Sequence, residues 1–173
     1  MSKTEENLRK AFSGESQARN KYDYFAKIAR KEGYNYIAKI FEETAENEKQ
    51  HAKDEFKLLK GIGDTKNNLA EAIEGERYET EEMYPEFAKQ AREEGNENAA
   101  KLFEAIAVVE KEHEERYKKL LKFVEEGTVF KREKPIKWKC SKCGHVHIGK
   151  EPPERCPSCN HPKEYFEPAD ICL

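Results

Sequence analysis

Cysteine is missing from the first 139 residues of this 173-residue chain. Sulfur chemistry is therefore confined to the end, where Cys140, Cys143, Cys156, Cys159 and Cys172 follow within 33 positions. Proline is scarce in the same region, with six of the seven falling from Pro135 onward. No run approaches the roughly 18 apolar residues of a membrane span, and the opening "MSKTEENLRKAF" lacks the apolar core of a secretion signal. These absences give the expectation of a cytoplasmic protein without a membrane partner, in which clustered cysteines more often mean metal than disulfides. A formal net charge of −3 supplies no electrostatic footprint for nucleic acid. Nowhere does Gly-x-Gly-x-x-Gly occur, so the dinucleotide fingerprint is excluded and the chain is not expected to bind a nicotinamide itself.

What is present is charge and helical period. Charged residues make up 39% of the chain and hydrophobic ones 36%. The charges are mixed in sign and the apolar residues recur at three and four, which favours solvated helices over disorder. Lys and Glu enrichment is compatible with a heat-adapted source. The length suits a medium domain with a small appendage. The first 126 residues are dense in Ala, Glu, Lys and Leu, so the expected division is a helical domain over 1–126, a linker over 127–139 and a cysteine-bearing domain over 140–173.

An internal repeat organises the helical part. "FAKIARKEG", Phe25 to Gly33, matches "FAKQAREEG", Phe87 to Gly95, at an offset of 62, which also carries Glu48 onto Glu110 and His51 onto His113. Upstream the offset is 61, matching "FSGES" around Glu15 to "IEGER" around Glu76. Such self-similarity implies one supersecondary unit used twice. Each copy reads as two helices broken by a capping glycine, Gly33 or Gly95. Helices are expected near 4–32, 35–60, 67–94 and 97–126, with apolar stripes that include Phe12, Tyr22, Phe41, Ala45, Ala52, Phe87, Phe103 and Tyr117. Packed together they predict a four-helix bundle.

Polar residues interrupt those stripes. Glu15 falls on the first helix, Glu48 and His51 on the second, Glu76 and Glu79 on the third, Glu110 and His113 on the fourth. Five carboxylates and two imidazoles converging in one core would repel and desolvate one another unless cations joined them. Hard oxygen and borderline nitrogen donors suit iron or manganese, with zinc also open. A lone Glu-x-x-His in a Glu-rich helix is usually a solvated face; its recurrence at one offset, each time on the apolar stripe, argues for a metal pair. Glu79, taken alone, reads as exposed more readily than as a ligand.

"CSKCG" and "CPSC" supply two Cys-x2-Cys knuckles, a spacing that closes a tetrahedral site and leaves zinc and iron both open. His145 and His147 read as surface residues and Cys172 as a free thiol.

One Glu from each of two helices with a Glu-x-x-His from each of the other two resembles the ferritin-like di-metal carboxylate proteins, for which that pattern is the known rule. "CPSCNHPKEYFE", with Trp138 before the first knuckle, resembles a rubredoxin. The two together resemble the rubrerythrin family over essentially the whole chain. That resemblance implies a mainly α fold, a ferritin-like four-helix bundle followed by a small rubredoxin-like metal-knuckle domain. It further implies a carboxylate-bridged di-iron site, one iron held by Cys140, Cys143, Cys156 and Cys159, and reduction of hydrogen peroxide to water in protection against oxidative stress. Glu48 and Glu110 would bridge the irons, Glu15 and Glu76 would be terminal ligands, and His113 would bind one iron. The other would exchange His51 for Glu79 between redox states. Charge supplies a motive: four carboxylates neutralise two ferrous ions, and oxidation favours a fifth. Tyr22 and Tyr84 match the family's inward-facing tyrosines, for which core packing and a catalytic hydrogen bond are both open readings. Electrons would come from a separate donor such as rubredoxin or an NAD(P)H-dependent reductase. A ferritin-like ferroxidase or iron-storage protein and a non-catalytic electron carrier are the alternatives.

In ferritin-like bundles a long crossover joins helices two and three, whereas here only 25 positions separate His51 from Glu76. About seven linking residues reach roughly 25 Å at best. A homodimer with helix pairs exchanged between chains is the expectation, and an up-down-up-down monomer bundle, which would satisfy the loop but abandon the family topology, is the alternative.

Overall fold

The computed structural model describes residues 1–169, so the expectation for Cys172 lies outside the described residues. It divides into two compact units, one over Met1–Gly63 and one from Asp64 onward.

The first unit is a helical hairpin. Helix α1 (Lys3–Lys31) opens on Ser2, whose hydroxyl accepts the Glu5 N–H at 3.1 Å, satisfying a donor that the first turn would otherwise leave unpaired. It closes at Gly33, whose φ of 88° is reached without strain because glycine has no Cβ. Helix α2 (Asn35–Leu58) follows at once, and three residues of loop return it along α1. Ala26, Ala29 and Ala38 are buried where the two backbones draw close, with Phe41 packed against them. Near the open end Phe12 and Phe56 stack with ring centroids 4.7 Å apart. The Phe56 ring occupies the space beside Gly61, where a Cβ would lie 2.1 Å from it.

The second unit begins on Asp64, whose carboxylate accepts the Asn67 N–H at 2.8 Å and starts α3 (Thr65–Tyr78). A single helix is expected over 67–94. The structure instead interrupts it with a π-helical turn, Glu79–Met83, before α4 (Tyr84–Glu93). Two sequence features account for the turn. The repeat offset grows from 61 to 62 between Glu76 and Phe87, an insertion of one residue that a wider i→i+5 turn absorbs without rotating either flank. Pro85, second in α4, has no N–H to donate to the preceding turn, where the first copy has Asp23. Helix α5 (Glu97–Glu125) lies along α3, the π turn and α4, capped by Asn96, which accepts the Ala99 N–H.

The rest of this unit is a small sheet. Strands β1 (Ile136–Cys140), β2 (Val146–Gly149) and β3 (Phe166–Pro168) pair antiparallel in the order β2-β1-β3. Strand β1 reaches into the segment expected as linker, and Trp138 on it is 0% exposed, packed with Cys140, Cys156 and Phe166. Three short strands over so small a core are marginal without a covalent or metal staple. Among the described residues no helix is long and apolar enough to cross a membrane.

Candidate metal centres

The repeat survives as geometry. In the first unit His51 Nδ1 lies 2.8 Å from a Glu48 oxygen and 3.9 Å from Glu15. In the second, His113 Nδ1 lies 2.7 Å from Glu110 and 3.7 Å from Glu76. One ligand atom from each member of Glu15, Glu48 and His51 falls within 4.8 Å of the others, and the same holds for Glu76, Glu110 and His113. The three-residue spacing of Glu48 to His51 and Glu110 to His113 is what aligns each pair on one helical face.

Behind each group stands the same aromatic triad. Tyr22 and Phe41 have centroids 6.0 Å apart and Phe25 and Phe41 5.6 Å, where Tyr84 and Phe103 are 6.1 Å apart and Phe87 and Phe103 5.6 Å. Arg30 with Glu42 and Arg92 with Glu104 close each hairpin in the same way. Tyr22 and Tyr84 thus sit in corresponding aromatic clusters, as the repeat requires.

Electrostatics show that the carboxylates are crowded. A hydrogen bond shared with Glu48 and then burial push the Glu15 carboxyl above its ordinary range. Burial first, then a shared hydrogen bond with Glu110, does the same to Glu76. Glu79 belongs to the second group: burial and then the charge of Glu110 raise it, with His113 acting the other way. The Tyr84 hydroxyl is raised by burial and then by Glu79, Glu110 and Glu76, so it keeps its proton and remains a hydrogen-bond donor. Carboxylates gathered this closely, each with an imidazole, suit divalent cations, because the cation replaces the shared protons that otherwise relieve the repulsion. Exposure is uneven, the His51 side chain being 58% accessible and His113 38%.

The four-thiol group is tighter. Cys140 and Cys159 have sulfurs 3.7 Å apart, and Cys143 and Cys156 3.6 Å. Four sulfurs at about 2.3 Å from a tetrahedral metal would lie about 3.8 Å from one another, which is the observed spacing and far longer than a disulfide. Each knuckle is built by the same turn. The Gly144 N–H donates to Cys140 O and the Asn160 N–H to Cys156 O, both at 2.8 Å, with Gly144 and Asn160 in the left-handed region. These turns aim backbone N–H groups at sulfur. The His145 N–H, then Cys159, lowers Cys143 to about 6. Against the pull of the His161 N–H, burial and the neighbouring thiols push Cys159 up to about 12. His145 and His147 are half-buried beside the knuckles and stand outside the four-thiol group.

The ten expected ligands other than Glu79 fall in three compact groups, and Glu79 lies close enough to Glu110 and His113 to feel their charge. Sequence reasoning missed two acidic residues. Glu55, one turn beyond His51, presses on Glu15 and has a buried Oε2 without a hydrogen-bond partner. Its position four after His51 on the same stripe was the available signal. Glu114 is 1% exposed, held by Lys111 and Lys118 at 2.8 Å each. Nothing in its local spacing distinguishes it from the many solvated glutamates of α5.

A family model described as Rubrerythrin matches residues 6–121, and one described as the rubredoxin-like domain of rubrerythrin matches 138–167. Similar proteins include rubrerythrin-1 of Clostridium acetobutylicum, 50% identical over 95% of this chain and 93% of that protein. Rubrerythrin of Porphyromonas gingivalis is 49% identical over 96% and 90% of the two chains. Rubrerythrin of Nitratidesulfovibrio vulgaris is 48% identical over 96% and 94%.

Proposed function

The chain belongs to the rubrerythrin family, and from that membership we propose that it is a non-haem di-iron peroxidase, reducing hydrogen peroxide to water with electrons relayed through its four-cysteine iron site. An oxidoreductase is the class that the family suggests, and the chain carries the Glu and His groups of a di-iron site beside the four-cysteine group of the rubredoxin-like region. The observation that carries the reading is the duplicate geometry: two Glu, Glu, His clusters of nearly the same dimensions in one chain that also holds a four-thiol site.

In this reading Glu48 and Glu110 would be shared between the two metals, Glu15 and Glu76 would each serve one of them, His113 would be a fixed donor, and His51 and Glu79 would exchange as the metal charge changes. Bound iron would supply Lewis acidity and the electrons for cleavage of the O–O bond. The protein's share is to hold carboxylates whose charge tracks that of the metal, to keep one imidazole accessible enough to move, and to present the Tyr84 hydroxyl as a donor toward the carboxylates or the substrate. Tyr22 takes the corresponding part in the other half. Cys140, Cys143, Cys156 and Cys159 would hold a single iron, whose chemistry would be one-electron transfer from a separate donor, a rubredoxin or an NAD(P)H-dependent reductase.

The working form is a homodimer in which helix pairs are exchanged. Only Leu59–Asp64 separate α2 from α3, at most about 20 Å of extended chain. Two variants, one lacking Glu48 and His51 and the other Glu110 and His113, should regain turnover when refolded together; no recovery would count against the exchange.

The central test is to reduce the iron-loaded protein without air and mix it separately with hydrogen peroxide and with dioxygen. Faster oxidation by peroxide, water as product, and sustained turnover with a reductase are expected. Iron mineral accumulating in place of turnover would overturn the peroxidase in favour of storage, and unimpaired turnover in both Glu48→Ala and Glu110→Ala would overturn the site.

A further inference from the structure

The segment between α5 and β1, with Lys131, Lys134 and Pro135, has the composition of a tether, yet its backbone is pinned at Gly127, Thr128, Lys131 and Arg132. Gly127, with a φ of 64°, ends α5, and the Thr128 N–H turns back to Phe123 O at 2.8 Å. The Arg132 backbone N–H donates to Lys150 O at 2.8 Å, just beyond the end of β2. Its Nη1 donates to the carbonyls of Thr128 at 2.8 Å and Lys131 at 2.6 Å. The guanidinium carbon lies 4.3 Å from the ring centroid of Phe123 on α5 and 5.3 Å from that of Trp138 on β1.

One side chain thus touches a ring of the ligand-bearing helix and a ring of the sulfur domain together. The guanidinium is half-buried, and burial disfavours its charged form. No carboxylate pairs with it among the described residues; its charge is met by carbonyl oxygens and aromatic faces. Such partners hold a cation only in a defined orientation, because a planar guanidinium stacks on a ring face and forks toward oxygens in fixed directions. Trp138 in turn packs on Cys140 and Cys156 and donates its indole N–H to Gly149 O at 3.0 Å. Trp138 thereby ties Arg132 to the four-cysteine unit, as Phe123 ties it to α5.

We propose that Arg132, clasped between Phe123 and Trp138, is a positioning residue that locks the four-cysteine unit to the end of α5 and so sets the path for electron return. The proposal rests on the electron-relay reading above. In the step it serves, one electron leaves the thiolate-bound iron, oxidised from ferrous to ferric, and reduces one carboxylate-bound ion from ferric to ferrous; no bond forms or breaks.

The test uses the full iron-loaded chain with Arg132→Ala, Arg132→Lys, Phe123→Leu and the double variant Arg132→Ala with Phe123→Leu. Amide exchange over residues 128–136 is measured beside stopped-flow reoxidation by peroxide and the absorption and reduction potential of the thiolate-bound iron. Arg132→Ala should exchange at least roughly tenfold faster in that segment and return electrons roughly tenfold to hundredfold more slowly, with peroxide oxidation of the carboxylate site, the absorption and the potential unchanged. Arg132→Lys, which keeps the charge and loses the plane, should follow Arg132→Ala, and the double variant should be no worse than the worse single one. Unchanged exchange and electron return in Arg132→Ala, additive losses in the double variant, or a slowed step accompanied by a shifted potential would each overturn the clasp. If the wild-type protein does not react with peroxide, the relay reading fails, and the exchange data alone decide whether Arg132 locks the two parts.

Discussion

The two helical halves of this molecule are copies that diverged by insertion and by exchange of apolar for ionic contacts. Around His51 and His113 the distances to the two carboxylates agree within 0.2 Å, and the aromatic triads behind them agree as closely. Away from that centre they part. The second copy gains one residue, takes it up in a π turn and thereby brings Glu79 to its cluster, where the first copy offers only Gln17 or Ala18. Further along, the buried Ala52 and the stacked Phe56 of the first copy correspond to Glu114 and Lys118, which pair at 2.8 Å. The metal-facing layer is held constant because ligand geometry tolerates little movement, while layers beyond it can trade a ring stack for an ion pair.

The strongest way to break the comparison is to remove the shared ligands one half at a time. Glu48→Ala and Glu110→Ala should each lower peroxide turnover by roughly a hundredfold or more, as read by steady-state assay with iron content measured in parallel. A large difference between the two would mean that the halves are not functionally equivalent. Deleting Thr80 should restore the offset of the first copy, convert the π turn to α-helix and carry Glu79 off its cluster. Turnover is expected to fall roughly tenfold to hundredfold while Glu76, Glu110 and His113 still take up metal, a result that iron titration and the amide exchange of Glu79–Met83 would check.

Smaller effects sharpen the differences. Gly61→Ala places a Cβ against the Phe56 ring and should destabilise the first unit alone by about 1–3 kcal/mol, seen as a lower urea midpoint for exchange in α1 and α2. Glu114→Ala makes the second copy resemble the first at Ala52. Lys111 and Lys118 stay nearly half exposed, so no cation is stranded and the cost should be only about 1 kcal/mol. Hydrogen bonds from Lys111 and then Lys118 hold the Glu114 carboxyl below its ordinary range. Its contribution is therefore complete above the unfolded value near about 4.3 and is lost as pH falls through the lowered folded value. Denaturant titrations at descending pH should show that acid-side loss in the wild type and its absence in Glu114→Ala.

Most of the candidate site was legible because its spacing is local. Glu48 to His51 and Glu110 to His113 span less than one helical turn, and Cys140 to Cys143 and Cys156 to Cys159 span one tight turn, so each pair meets wherever its segment folds. The π turn was half legible: the change of offset from 61 to 62 was readable, and the structure shows what absorbed it. Glu55 and Glu114 were not, because their burial is imposed by residues distant along the chain and nothing in a Glu-rich helix marks one glutamate as covered. Arg132 was equally silent, since a basic residue in a charged stretch between two domains reads as solvated tether until Phe123 and Trp138 close around it.

By itself the amino-acid order determined which donors exist, that they come twice, that they share helical faces with apolar stripes, and that four thiols stand at knuckle spacing. Those properties follow from the fixed rise and turn of a helix and the short reach of a β-turn. Only the tertiary structure decided where the extra residue is stored, which acids lose their water, and how the Arg132 cation comes to rest between two rings. Burial and orientation are set by contacts between segments far apart in sequence, and no local spacing encodes them.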